Sequence, residues 1–455
     1  MAKKPQTVFS CTACSAQSPQ WLGRCPECGA WNTLVEERAK GGTPSAPRAP
    51  GKAPRAVPLS DVDAKERPRL PTGVADIDRV LGGGLVPGSV VLLGGEPGIG
   101  KSTLLLQVAA RLGARIGPVL YVTAEESPRQ VKMRADRLGV ASAPASGVFL
   151  LAETDVATIL EAAAAGKFGA VVVDSIQTIA SEESPGAPGS VSQVRECAGR
   201  LLAFAKTTGT PVFLIGHVTK DGTLAGPKAL EHLVDAVLSF EGERFHAHRV
   251  VRALKNRFGP VHELGVFEMT GAGLVEVANP SSLYLGSGAG ARPGSVVLAG
   301  VEGTRPLLLE VQALTVGVKY GTPRRTAIGF DGTRLALLLA VLERHGGLAL
   351  GAHDVFLNVA GGAESAEPAA DLAVAAAVAG SFRARAVPAG TVVFGEVGLL
   401  GEVRAVSDVA LRLKEAVSLG FKGAILPAGN AAEAAAFPDF AATPVKSVEE
   451  LLGKS

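Results

Sequence analysis

The 455-residue chain carries 45 basic against 43 acidic side chains, a formal net charge of +2, and is 47% hydrophobic with 19% charged residues. Length and hydrophobicity suit about three domains with cores of their own, and the balanced charge excludes a bulk polycation, so contact with nucleic acid has to rest on local patches. No apolar run approaches the ~18 residues of a membrane span, and the start Met1-Ala2-Lys3-Lys4-Pro5 lacks the apolar core of a signal peptide, so a cytoplasmic protein is expected.

Residues 1–36 hold four of the five cysteines. Cys11-x-x-Cys14 and Cys25-x-x-Cys28, ten residues apart, can offer two thiolates from each of two knuckle turns to one tetrahedral zinc. Gly23 and Gly29 stand where tight knuckle turns would want glycine. No histidine or carboxylate in the motif offers an open coordination position, so the zinc is read as structural. Two disulfides are the alternative, which a reducing cytoplasm disfavours. Trp21 and Trp31, the only tryptophans, flank the second pair. They are expected to pack over the metal, with stacking on a base or a partner as the other reading. Residues 37–58, with Gly41-Gly42-Thr43-Pro44-Ser45-Ala46-Pro47 and four basic residues from Lys40 to Arg55, read as a flexible, mildly basic linker.

From 59 to 278, apolar runs alternate with helical segments, which predicts an α/β domain with a largely parallel sheet. The run Val90-Val91-Leu92-Leu93 leads into Gly95-Glu96-Pro97-Gly98-Ile99-Gly100-Lys101-Ser102-Thr103, a complete G-x-x-x-x-G-K-S phosphate-binding loop between strand and helix. In such a loop backbone N–H groups close around a β-phosphate, Lys101 reaches the β/γ oxygens of ATP and the Ser102 hydroxyl ligates magnesium. An ordinary glycine-rich turn is the competing reading, and the flanking strand and helix argue against it.

Glu125 and Glu126 follow Val119-Leu120-Tyr121-Val122, a strand expected beside the phosphate loop, and Glu125 is the first candidate for the general base. A solvated start of the helix opening at Ser127-Pro128 is the other reading for that pair. After Val148-Phe149-Leu150-Leu151 comes Ala170-Val171-Val172-Val173, which ends on Asp174, the second acid of the magnesium shell. Cys197, on a predicted helix, reads as a small buried residue rather than a reactive thiol. His217 closes the strand Val212-Phe213-Leu214-Ile215, at a position suited to sensing the γ-phosphate; a merely satisfied histidine fits as well.

Two loops, 180–194 after Asp174 and 218–229 after His217, are expected to leave the same sheet edge and to line a channel, with Lys220 and Lys228 contacting DNA phosphates. Three later runs, Ala236–Phe240, His248–Arg252 and Leu264–Phe267, suggest antiparallel additions. The segment Arg249-x-x-Arg252-x-x-Lys255-Asn256-Arg257-Phe258-Gly259 is the densest basic patch and holds an aromatic. By composition alone it reads as a solvated hairpin. Residues 281–455 mix strands with Ala-rich helices at 369–380 and 407–419, lack a second phosphate loop, and form a separate α/β domain.

Together the four-cysteine module, the phosphate loop, the Lys255-Asn256-Arg257-Phe258-Gly259 box and the tail resemble the bacterial RadA (Sms) DNA-repair family over nearly the whole chain. The box is the specific element. The resemblance implies a RecA-like P-loop ATPase core in a homo-hexameric ring that drives branch migration on single-stranded and branched DNA, in interplay with the RecA recombinase. It also implies that Lys101, Lys255 and Arg257 are required, with the box reaching a neighbouring subunit's nucleotide or coupling it to DNA. The tail resembles the Lon protease domain, whose active members use a Ser-Lys dyad. Here Glu367-Pro368-Ala369-Ala370-Asp371 puts Ala369 at the nucleophile, and Ala410 falls at the lysine. Without nucleophile and base there is no acyl-enzyme route, so the tail is read as a proteolytically inactive, ring-forming and DNA-binding scaffold. The expected activity is a DNA-dependent ATPase that translocates on single strands; an ATP-switched adaptor that recruits recombinase without moving is the alternative.

Overall fold

The computed structural model describes residues 7–11, 17–18, 20–31, 33–38, 68–140, 147–217, 228–242, 248–261, 263–286, 288–319, 321–438 and 440–453. The chain divides into two compact units, Met1–Glu276 and Val277–Ser455. Among the described residues no helix is long and apolar enough to cross a membrane.

At the start of the first unit, strands β1 (Thr7–Cys11), β2 (Gln17–Ser18) and β3 (Leu34–Arg38) form an antiparallel sheet in the order β2-β1-β3. Its interior is small: Cys11, Cys25 and Leu34 are buried, with Phe9 and Leu22 packed against them. Strand β3 continues to Arg38, two residues into the segment read as linker, and residues 39–67 lie outside the described part.

The alternation of apolar runs and helices yields α1 (Ala75–Val80), β4 (Val90–Gly95), α2 (Lys101–Ile116), β5 (Val119–Thr123), α3 (Pro128–Arg137), β6 (Val148–Leu151), α4 (Val156–Ala165), β7 (Ala170–Asp174), α5 (Val191–Thr208) and β8 (Val212–His217). These are followed by α6 (Lys228–Glu231), β9 (Ala236–Glu241), β10 (His248–Asn256), β11 (Leu264–Thr270) and β12 (Gly273–Glu276). The strands make one sheet in the order β12-β11-β10-β9-β4-β8-β7-β5-β6. Six neighbours, β9 to β6, run parallel, and β10 to β12 add antiparallel. The run at 236–240 therefore extends the parallel set, and the antiparallel additions begin one strand later than the sequence suggests.

Helices cover both faces, so central strands are apolar throughout rather than alternating. Successive β4 residues serve opposite cores. Val91 and Leu93 pack with Leu105, Val108 and Leu112 of α2, whereas Val90 and Leu92 pack with Val194, Cys197, Ala198 and Leu201 of α5. Cys197 is fully buried, and burial pushes its thiol up to about 11, so it is a packing residue.

The second unit holds a seven-stranded mixed sheet. Its elements are α7 (Ser281–Tyr284), β13 (Ser295–Glu302), β14 (Arg305–Gly317), β15 (Arg325–Ile328), α8 (Gly332–Arg344), β16 (His353–Val359), α9 (Ala370–Arg383) and β17 (Thr391–Val393), then a small hairpin of β18 (Glu396–Val397) and β19 (Val403–Arg404). It ends with α10 (Val409–Ser418), β20 (Gly423–Pro427), α11 (Ala431–Ala434), β21 (Ala441–Val445) and α12 (Val448–Leu451); the sheet order is β15-β16-β14-β13-β17-β20-β21. Ala369, at the cap of α9, is buried, and Ala410 is exposed on α10. Two of its buried charges are paired. Asp371 accepts from Arg334 Nη2 at 2.6 Å and from the Val397 N–H at 3.1 Å, and Arg412 donates to Glu367 at 2.7 Å and to the Ala299 carbonyl at 2.7 Å.

Candidate functional site

The phosphate loop connects β4 to α2. Gly95 touches the neighbouring strand so closely that a Cβ there would lie 2.5 Å from the Phe240 carbonyl oxygen. Gly100 caps α2 with φ of 116°, where a Cβ would meet Met269 Cε at 2.6 Å. The backbone thus has a shape that only glycine permits, and α2 presents its unpaired N–H groups to whatever the loop encloses. Glu96, Pro97 and Gly98 form the exposed rim, Ile99 turns into the core, and Ser102 and Thr103 are half-buried on the first turn.

Lys101 is 4% exposed and its Nζ donates to the Gly95 and Glu96 carbonyls, each at 2.8 Å. Burial lowers its pKa to about 8, against the opposing pull of Asp174, Glu125 and Glu96. Asp174 is raised from the usual carboxylate range by burial, and hydrogen bonds from Tyr121 and Ser102 draw it back. The Tyr121 hydroxyl donates to Asp174 Oδ2 at 2.7 Å across the β5–β7 pair. The Ser102 hydroxyl and the Asp174 carboxylate therefore share one polar corner beside Lys101, a hard-oxygen donor set that fits magnesium.

Glu125 requires a correction of strand order. Its strand is not next to β4; β8 and β7 stand between. The carboxylate crosses that distance through its partners. Glu125 Oε1 accepts from the Ser175 hydroxyl and from His217 Nε2, the latter at 3.0 Å, and His217 is the register partner of Gly95. The His217 hydrogen bond is the main reason that Glu125 is held below the usual carboxylate range, so it is ionised at neutral pH. Glu126 behaves differently: it ion-pairs with Arg134 of α3, a helix that opens on a Ser127–Gln130 capping box.

The loop after β7 is built rather than loose. Gln193 on α5 accepts the Ser181 N–H at 2.8 Å and donates to the carbonyls of Ser181 and Ser184 at 3.0 and 2.6 Å. Strands β7 and β8 are adjacent and parallel, so the loops that follow them do leave one edge. Residues 218–227, with Lys220, lie outside the described part, as does the side chain of Lys228 at the start of α6.

The basic patch from Arg249 to Gly259 is dispersed along β10 and just past its end at Asn256. Arg249, 8% exposed, donates from Nε to the Ile99 carbonyl of the phosphate loop at 3.2 Å. At the other end of the strand, Lys255 Nζ donates to the Val234 carbonyl at 2.9 Å and also to that of Glu231, and Arg257 Nη1 sits 3.3 Å from the buried Asp235. Register puts Lys255 opposite Val237 and Asn256 opposite Ala236, level with the beginning of β4, whereas the phosphate loop continues from its end. Within one chain, then, Lys255 and Arg257 lie at the sheet edge away from Lys101, Glu125 and Asp174. The segment does enter an antiparallel β10–β11 pair, but its charges are not free in solvent: Lys255 is engaged on carbonyls and the half-exposed Arg257 on a buried carboxylate.

In the N-terminal sheet the Sγ atoms of Cys11, Cys25 and Cys28 all lie within 4.8 Å of one another, with Cys11 and Cys28 at 3.7 Å. Tetrahedral zinc with bonds of about 2.3 Å requires sulfur separations of about 3.8 Å, so the three thiols fit the metal. Cys14 lies outside the described residues. Gly29 adopts φ of 72° in the knuckle, and its N–H donates to the Cys25 carbonyl at 3.0 Å. Gly23 has no such conformation. It lies close to both indoles instead: a Cβ there would be 3.8 Å from Trp21 and 4.0 Å from Trp31. The tryptophans do not pack over the metal: they are 56% and 70% exposed, and among the described residues it is Leu34, Phe9 and Leu22 that pack with the buried cysteines.

Tyr121 and Arg249 escaped the sequence reading. A tyrosine within a buried apolar strand does carry a signal, since its hydroxyl must find a partner, but nothing local says that the partner lies 53 positions away. Arg249 was visible only as one more charge in the patch.

Residues 54–223 match the family described as AAA domain, and residues 9–36 match the rubredoxin metal binding domain family. The DNA repair protein RadA of Bacillus subtilis (strain 168) is 49% identical over 431 residues, covering 94% of this chain and 93% of that protein. The DNA repair protein RadA of Pseudomonas aeruginosa is 53% identical over 431 residues, with 94% of each chain covered. Among solved structures, that of the RadB recombinase covers 46% of this chain and 99% of its own, at 26% identity and a TM-score of 0.37.

Proposed function

This chain belongs to the family of the DNA repair protein RadA, and from that premise we propose that it is a DNA-dependent ATPase that translocates on single-stranded DNA and promotes branch migration of recombination intermediates with the RecA recombinase. ATP, magnesium and zinc are its cofactors. Magnesium, held by Ser102 and Asp174, would neutralise phosphate charge when bound. Lys101 binds the β/γ oxygens, Glu125 accepts the proton of the attacking water, and Tyr121 fixes the orientation of Asp174.

The observation that carries a motor rather than a simple hydrolase is the bridge from Ser175 through Glu125 to His217. It ties the candidate base to the ends of β7 and β8, from which the two candidate DNA loops depart. A change at the γ-phosphate that moves Glu125 would move both roots. Lys255 and Arg257 act in this reading on a neighbour's nucleotide or on DNA, and a head-to-tail homo-hexameric ring brings one subunit's far sheet edge to the next subunit's loop. The second unit serves as a Lon-like scaffold that cannot acylate, since the Ala369 methyl is no nucleophile.

Single-stranded DNA is therefore expected to raise the steady-state rate of ATP hydrolysis several-fold, measured by phosphate release with and without oligonucleotide. A rate indifferent to DNA at saturating ATP contradicts the proposal. Lys101 adds a pH signature. With its pKa near 8, the ammonium is present at pH 7 and mostly lost by pH 9, whereas bound phosphate holds the proton on. Equilibrium binding of a fluorescent ATP analogue is expected to weaken about tenfold from pH 7 to 9.

A further inference from the structure

We propose that Trp21 and Trp31 form a stacking site for the unpaired bases of a single strand, so that the zinc ribbon reads base faces while the ATPase sheet handles the phosphates. The inference rests on the DNA-binding reading above and names a contact which that reading leaves open. Both tryptophans of the chain are on the ribbon, both are more than half exposed, and their rings approach the same backbone point at Gly23. Indole is costly to leave in water, and the buried cluster of the ribbon's described residues, Cys11, Cys25 and Leu34, takes in neither ring although both come close to one backbone point.

Charge selects the occupant. The Arg24 guanidinium lies 5.8 Å from the centroid of the Trp31 ring, and an arginine beside an aromatic platform pairs a phosphate contact with a base contact. Glu27 is the single acid within the first 35 residues. Residues 1–58 hold eight basic and three acidic side chains, a formal +5 against +2 for the whole chain. A zinc tetrathiolate carries −2 and leaves the segment cationic. An apolar protein partner would need none of this charge.

The two residues also supply their own reporter, because all tryptophan emission from the protein comes from this site. The full-length protein is titrated with labelled oligo(dT), following both label anisotropy and tryptophan emission, and with an abasic strand of equal length. Emission is expected to quench in step with the anisotropy change. Trp21→Ala and Trp31→Ala are each expected to weaken oligo(dT) binding roughly tenfold, with unchanged zinc content and unchanged affinity for the abasic strand, and Trp31→Phe is expected to retain most of the binding. If oligo(dT) binds but emission stays constant and the alanine variants bind as wild type, the stacking site is wrong while DNA binding stands, and the indoles face protein. If anisotropy never changes, DNA binding and this site fall together.

Discussion

Lys101→Ala is expected to yield a folded protein whose ATP hydrolysis falls by at least about 10²-fold, read as steady-state phosphate release at saturating ATP. Two features set the size of the effect. The ammonium is buried within the loop, held by the Gly95 and Glu96 carbonyls, so no solvated lysine can substitute for it. It is also the one basic side chain of the phosphate loop. The fold should tolerate the change, because burial disfavours the charge: a lysine whose pKa drops to about 8 costs stability below that pH instead of adding it. The thermal midpoint near pH 7 is accordingly expected to hold. A variant that hydrolyses ATP normally would remove the loop from the mechanism; one that unfolds would show that Lys101 is structural.

Glu125→Gln separates chemistry from binding. Glutamine keeps the shape and can still hydrogen-bond Ser175 and His217, but it cannot take a proton. ATP hydrolysis is expected to fall by about 10²–10⁴-fold with analogue affinity within a few-fold of wild type. The same variant at Glu126, whose carboxylate is taken up by Arg134 rather than by Ser175 and His217, is expected to leave hydrolysis nearly intact. Reversed effects at the two positions would overturn the assignment of the base, which the pair Glu125-Glu126 does not resolve by sequence.

What was legible in the chain was what is contiguous. The phosphate loop is local and bounded by its strand and helix, and the buried parallel strands announce themselves as unbroken apolar runs such as 170–173. Cysteine spacing carried the metal site for the same reason. Strand order is not legible, because it depends on where each crossover helix returns; the sequence suggests that Glu125 stands beside the phosphate loop, and it reaches the site through His217 instead. The basic patch misleads in a related way. Side chains at 249, 252, 255 and 257 look like one patch in sequence, yet a strand of nine residues carries Arg249 to the phosphate loop and Lys255 to the opposite edge. Tyr121 acts on Asp174 only because β5 and β7 are neighbours. The general preference of indoles for packing points the tryptophans at the metal, yet both stay exposed beside the buried cluster of Cys11, Cys25 and Leu34.

If hydrolysis at this site drives movement along DNA, strand extension should proceed on branched recombination intermediates that have been stripped of recombinase. Wild-type protein with ATP is expected to lengthen the heteroduplex on such naked branches, and Lys101→Ala to leave it unchanged. Extension that occurs only when recombinase is restored, or that persists in Lys101→Ala, would contradict the motor and leave an ATP-switched adaptor in its place.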